Sequence, residues 1–167
     1  YDVIADLLNK QKIIGIFNGK MEYGPRALGN RSIIGDPRDK NMQKKMNLKI
    51  KFRESFRPFA PIILKEKLED WFQFTNDSFF MLFTAQLKKQ KIIKDSNKFE
   101  GIDKVNEVRS EIPAVTHLDY SARIQTVTRE SNNNLYNILK SFYNLTGCPI
   151  LINTSFNVRG EPIVCTP

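Results

Sequence analysis

Apolar residues in this chain come in short runs, and the spacing inside each run separates helices from strands. Ile4, Leu7 and Leu8 share one face of a helix over residues 2–11. Residues 13–17 are apolar without a break, too short for a helix, and predict a buried strand that Asn18 and Gly19 end. Ile33 and Ile34 predict a second buried strand, and residues 56–64, with Pro58 and Pro61, a third starting near Ala60. Leu68, Trp71 and Phe72 recur at helical spacing within 65–74. The unbroken apolar run 79–83 predicts another buried strand. Residues 113–117 and 123–127 read as two strands of a hairpin, with the turn at 118–121. The clearest helix is 132–146: Leu135, Ile138, Leu139 and Phe142 form its stripe, Asn132 or Asn133 caps it, and Gly147 ends it. Strands are expected at 149–152 and at 163–165.

Two polar segments complete the pattern. Asp39 is placed to cap a helix over 40–48, and the alternation in 49–53 predicts an edge strand with its basic groups on one side. Residues 88–111 hold 12 charged side chains in 24 positions and little periodicity, which predicts a solvated insertion that the fold can do without. Strands and helices intermixed in this order predict an α/β fold, a mixed sheet with helices on its faces.

Charge changes the picture, because it is unevenly placed. The net charge is +8, yet residues 1–57 carry 13 basic and six acidic side chains while 58–167 carry 13 and 12. The excess concentrates in 19–57, where 11 Lys and Arg face four acids among Gly, Pro and Ser. A solvated helix face would pair Lys with Glu at spacings of three and four. Here planar guanidiniums ride on turns, a setting suited to bidentate binding of phosphate or carboxylate. Arg26 and Arg31, five apart in a breaker-rich loop, are the first candidates for a phosphate clamp, with N–H groups of the Gly24–Gly29 loop as an anion nest. The alternative is a pair of surface arginines on a turn. No Walker spacing is present.

Lys51, Arg53 and Arg57 alternate around Phe52 and Phe56. That pattern suits a second set of phosphate contacts, and it equally suits single-stranded nucleic acid. His117 precedes a turn, with Asp119 and Arg123 beyond it; it is either a structural histidine or one that binds or protonates a leaving phosphate. Asn153, Ser155 and Asn157 follow a buried strand, where small polar groups contact ligands or close Asx turns. Glu161 is a lone candidate ligand for Mg²⁺.

Composition removes other classes. At 167 residues and 41% hydrophobic the chain is one domain or a piece of a larger protein, and its lack of an initiator Met and its end just past an apolar run favour the piece. One histidine excludes a His-rich metal site, and Cys148 and Cys165 sit in no metal or redox spacing, so a reduced cytoplasmic chain is expected. No apolar run approaches a membrane span of ~20 residues, and no signal pattern opens the chain.

Four strings are specific enough to compare with a family: MEYGPRALGNRSIIGDPR, IKFRESFRPFAP, PAVTHLDYSARIQTV and TGCPILINTSFNVRGEPIVCTP. They resemble the C-terminal domain of the O-carbamoyltransferases, which include nodulation enzymes and those that modify aminoglycoside, cephem and novobiocin-type antibiotics. The likeness spans almost the whole chain and fails at 88–111. It implies a YrdC-like domain, a twisted mixed sheet with flanking helices, that takes carbamoyl phosphate and ATP, with Mg²⁺, and forms carbamoyl-adenylate. It implies an N-terminal transfer domain of the same chain, bearing the family's iron site, which these residues do not resemble. It places Arg26 and Arg31 at carbamoyl phosphate, Lys51, Arg53 and Arg57 at the nucleotide phosphates, Ser155 and Asn157 in the Ser-x-Asn motif beside the nucleotide with Asn153 and Arg159 near it, and His117 and Arg123 in the site wall. Neither a membrane nor a nucleic acid is expected as partner, although a non-catalytic RNA-binding module of the same type is the competing reading, and a domain that only docks on a partner is a third.

Overall fold

The computed structural model describes residues 1–93 and 107–167. Among these described residues are four α-helices: α1 (Asp2–Asn9), α2 (Met42–Met46), α3 (Leu68–Trp71) and α4 (Asn133–Thr146). Seven strands accompany them in the same residues: β1 (Ile14–Phe17), β2 (Arg31–Gly35), β3 (Ala60–Leu64), β4 (Thr84–Gln86), β5 (Ser121–Arg123), β6 (Gln125–Val127) and β7 (Ile150–Ser155). Five of these form a mixed sheet in the order β1-β2-β7-β3-β6, antiparallel except for the parallel β3–β6 pair. The other two, β4 and β5, pair separately. This is the α/β fold that the alternation of elements predicts.

Burial follows strand position. β2 and β3 are buried along their whole length, as inner strands covered on both faces must be. β1 was expected to be buried, but it is an edge strand: Ile14 and Ile16 are half-buried while Gly15 and Phe17 face out. α4 and α1 pack together, and α4 turns Leu135, Ile138, Leu139 and Phe142 into the core. Burying each such side chain contributes about 1.5–3 kcal/mol. The Asn132 side chain accepts from the Leu135 N–H at 3.1 Å, and Gly147 closes the helix in the left-handed region at φ 74°.

Several expected elements differ. Residues 49–53 are not an edge strand: α2 runs on into a π-helical turn, Asn47–Lys51, which Phe52 ends at φ 47°. Asp39 accepts from the Asn41 N–H, one step before the helix. Residues 79–83 form an irregular segment instead of a buried strand. Phe80, Leu82 and Phe83 are exposed, Met81 is buried, and Phe83 meets Phe74 at 5.5 Å between ring centroids. The hairpin expected over 113–127 is absent; Pro113–Val115 is a 3₁₀ turn, and β5 pairs with β4. Residues 163–165 are not a strand.

The charged insertion expected over 88–111 lies outside the described residues from 94 to 106. Its described flanks are tied to the fold. Ile92 bridges Ser110, Lys91 sits over the Trp71 ring at 4.0 Å and pairs with Glu111 at 3.1 Å, and Ser110 is buried against Thr116.

Candidate anion site at the end of the sheet

The register brings one end of the sheet together from distant parts of the chain. β1 and β7 finish there, while β2, β3 and β6 begin there, with Ser32 opposite Ser155 and Ala60 opposite Asn153. Three adjoining clefts open at this end. The innermost, about 140 Å³, is lined by Arg26, Arg53, Arg123, Asn153 and Ser155 among others. A second, about 250 Å³, takes Lys51, Arg53, Arg57, Ser155, Asn157 and Arg159. The third, about 360 Å³, takes Arg53, Arg57, Thr84, His117 and Arg123. Arg53 lines all three, and the sole carboxylate lining any of them is Glu54, paired with Arg57 at 3.2 Å. Excess cationic donors in a concave site favour an anion.

Arg53 is aimed by its surroundings. Its Nε donates to Asn47 Oδ1 at 2.6 Å, and its guanidinium lies 4.8 Å from the Phe59 ring centre. Burial, then the Arg57 charge, lowers its pKa. Arg123 is likewise lowered by burial and then by the neighbouring Arg26 charge, which puts two guanidiniums in one field. Lys51 is 5% exposed, and its Nζ donates to the main-chain and side-chain oxygens of both Ser155 and Asn157. Burial, then Arg53, lowers its pKa to about 8. Ser155 Oγ donates to Asn157 Oδ1 at 2.6 Å, so Lys51 and the Ser-x-Asn pair form one hydrogen-bonded unit.

Arg31 takes another place. It is 4% exposed, its terminal nitrogens donate to the carbonyls of Asn18, Gly19, Asn30 and Cys165, and it stacks on Phe17 at 3.5 Å. It lines none of the three clefts with Arg26, so the two arginines do not form the expected clamp. Arg31 braces the loop from inside, and Arg26 is the member that the loop presents.

The loop backbone is also committed. Glu22 Oε1 accepts from the N–H groups of Leu28 and Asn30, both at 2.7 Å, and Ser32 Oγ from Gly29. Asn153 Nδ2 donates to the Ala27 carbonyl at 3.1 Å and Gln125 Nε2 to the Leu28 carbonyl at 3.0 Å. The C-terminal end of the expected nest is therefore filled by Glu22 and Ser32. Asn153, read as a ligand contact, lies in the inner wall with its amide nitrogen holding the loop.

His117 is exposed on the outer rim, where the third cleft meets a more apolar one of about 260 Å³ lined by Phe56, Pro58 and Leu118. Asp119 closes the adjoining turn by accepting from Ser121. Glu161 is exposed, and its main-chain oxygen accepts from Asn157 Nδ2. No group of three His, Cys, Asp or Glu gathers among the described residues, so they offer no carboxylate cage for Mg²⁺. Asn47, Gln125 and Glu22 are the site residues that sequence reading missed. Asn47 and Gln125 are buried polar side chains and Glu22 is half-buried, and what each bonds to is set by tertiary contacts.

Arg26, Arg53, Arg57, Arg123, Arg159 and Lys51 thus line a basic cleft at one end of the mixed sheet of an α/β domain. The comparisons name its family. Residues 5–167 match the family described as Carbamoyltransferase C-terminus, and the chain belongs to it. It is 53% identical over 98% of its length to an uncharacterized protein of Synechocystis sp., of which it covers 27%. It is 38% identical over 96% of its length to nodulation protein NolO of Bradyrhizobium diazoefficiens, covering 27% of that protein. With nodulation protein U of Sinorhizobium fredii it shares 39% identity over 95% of its length, covering 25%. The chain thus spans about a quarter of the length of these curated relatives. Among the described residues, no helix is long and apolar enough to cross a membrane.

Proposed function

We propose that this domain activates a carbamoyl group, forming carbamoyl-adenylate from carbamoyl phosphate and ATP for transfer to a substrate hydroxyl by another part of the whole protein. The observation that carries the reading is Arg53 at the junction of three clefts that hold five arginines and Lys51 against one carboxylate. Membership of the carbamoyltransferase family supplies the substrate class.

For the atoms to balance, water first cleaves carbamoyl phosphate to carbamate and inorganic phosphate. A carbamate oxygen then attacks the α-phosphorus of ATP, and the bond to the β-phosphate oxygen breaks, releasing pyrophosphate. Charge builds on the departing phosphates in both steps, and preorganised cations stabilise it. In this assignment Arg26 and Arg123 hold carbamoyl phosphate in the inner cleft. Arg53, Arg57 and Arg159 hold the nucleotide phosphates, with Lys51, Ser155 and Asn157 shaping the second cleft. His117 stands at the rim.

A coupled assay for pyrophosphate release tests the reading. Release is expected to require both substrates. Arg26→Ala removes one charge-assisted contact worth about 1.5–3 kcal/mol and should lower it roughly ten- to hundredfold. Arg26→Lys should restore little, because an ammonium lacks the bidentate fork. Folded protein that binds neither substrate, or that binds RNA tightly at physiological salt with no nucleotide binding, would end this reading.

A further inference from the structure

Asn47 is a fully buried polar residue near the clefts, yet it lines none of them. It has no exposed surface and sits at the first position of the π-helical turn. Its amide nitrogen donates to the carbonyls of Ser55, at 3.0 Å, and Arg57, at 2.8 Å. Its amide oxygen accepts from Arg53 Nε at 2.6 Å, and its main-chain oxygen accepts from the Arg53 N–H at 3.1 Å. One side chain therefore satisfies two carbonyls of the arginine-bearing loop and the inner nitrogen of its central arginine. The two terminal nitrogens of Arg53 stay available to the clefts, since the Nε bond and the stacking on Phe59 fix the plane of the guanidinium.

The π-helical turn explains the placement. A π turn admits one more residue than an α turn, and Phe52 then reverses the chain at φ 47°. The chain doubles back over Asn47, and residues 53–57 pass within reach of its amide. Aspartate cannot replace it: a carboxylate has no N–H for the Ser55 and Arg57 carbonyls. Alanine would take the side-chain partner from two part-buried carbonyls and from Nε.

We infer that Asn47 is a positioning residue that orients Arg53 and the 53–57 loop for anion binding, acting through Arg53 and touching no ligand. This inference rests on the reading of the clefts as a phosphate site. The test is calorimetric binding of inorganic pyrophosphate to the wild-type chain and to N47A, N47D, R53A and the N47A/R53A double variant. It is paired with ¹⁵N spectra of the arginine Nε–H groups. In the wild type one Nε–H should exchange slowly with water and vanish from the spectrum in R53A. N47A should weaken pyrophosphate about tenfold, and the double variant should bind within about threefold of R53A, because Asn47 has nothing left to orient. N47D keeps the acceptor for Nε, so its slow Nε–H should persist and it should lose less affinity than N47A.

A role in stability alone predicts something else, N47A and R53A losses that multiply, and that result overturns the inference, as does a wild type without a slow Nε–H that disappears in R53A. If R53A weakens pyrophosphate and folded N47A does not, the inference fails and the phosphate site stands. If R53A leaves pyrophosphate binding unchanged, the phosphate site fails and takes the inference with it. Should N47A not fold, N47D and the wild-type Nε–H exchange decide the matter.

Discussion

Lys51 holds a charge in a setting that disfavours it. Its pKa, lowered to about 8 by burial and then by Arg53, lies below the ordinary value of 10.5. Between those two values the unfolded chain binds more protons than the folded one, so stability rises with pH across that window. Below about 8 both states are protonated and the burial cost is carried in full. Anion affinity runs the other way. The second cleft also faces Arg53, Arg57, Arg159 and Glu54, and of its cations Lys51 is the one expected to release its proton near neutrality. Sulfate, which does not titrate here, should bind progressively less well from pH 7 to pH 9. The midpoint should lie near 8, with a total loss of about 1 kcal/mol, roughly fivefold, for a charge beside a solvent-open cleft. Lys51→Met should flatten that profile. A profile unchanged by the substitution would show that Lys51 acts only as a strut between the π turn and β7.

At the level of elements, α4 does more than fill the core. Its cap residue Asn132 also donates to Asn30 Oδ1 at 3.2 Å, so the helix start touches the loop that carries Arg26. Gly29 lies against it at φ 122°, where a Cβ would collide with the Leu135 side chain and come within 2.9 Å of Asn132 Nδ2. Gly29→Ala should therefore cost about 1–3 kcal/mol in thermal or urea unfolding, from overpacking and from a positive φ. It should weaken anion binding too, since Arg26 shifts with the loop. An unchanged melting temperature would contradict the packing described. This helix was legible in the sequence, stripe and both caps, because its signals are local. β2 and β3 were legible as apolar runs. The segment 49–53 was not: its alternation of Lys and Arg with Ile and Phe mimics a strand, while the π turn depends on a buried Lys51 and on an Asn47 whose partners lie six to ten residues on. Likewise the run 79–83 resembles a core strand, but Phe80 is 60% and Leu82 75% exposed, and nothing local marks an apolar run as surface. The basic clusters foretold the character of the site. Which arginine faces the cleft and which braces the loop was decided by contacts across the fold.

Across the whole molecule, the flanks of the charged stretch 88–111 behave as structure. Ser110 Oγ pairs with Thr116 Oγ1 at 2.8 Å and accepts from the Ile112 N–H, and Arg109 donates to the Thr116 carbonyl. Replacing 88–111 with a short Gly/Ser linker removes these buried bonds and the Lys91 contacts. It should lower stability by about 2–4 kcal/mol at ~1 kcal/mol per bond. Equal unfolding midpoints for the two proteins would restore the view that the segment is dispensable. Low periodicity and high charge concealed this, because anchoring residues at the ends of an insertion are too few to set a pattern.

The strand order has a consequence for how the chain is made. β7 is the last of the seven strands in sequence, yet it is the middle of the five-stranded sheet. On the ribosome, β2 and β3 emerge before β7, and each must wait with an open edge for a partner that follows residues 65–149. At 5–20 residues per second that wait is on the order of 10 s, far longer than a hairpin takes to form. The nascent chain therefore passes through a period in which two apolar strands stand ready to pair with each other or with a neighbouring chain. Ser155 arrives with the strand that ends this exposure and Asn157 and Arg159 follow directly, so the last groups of the proposed anion site and the centre of the sheet are completed by the same stretch of synthesis.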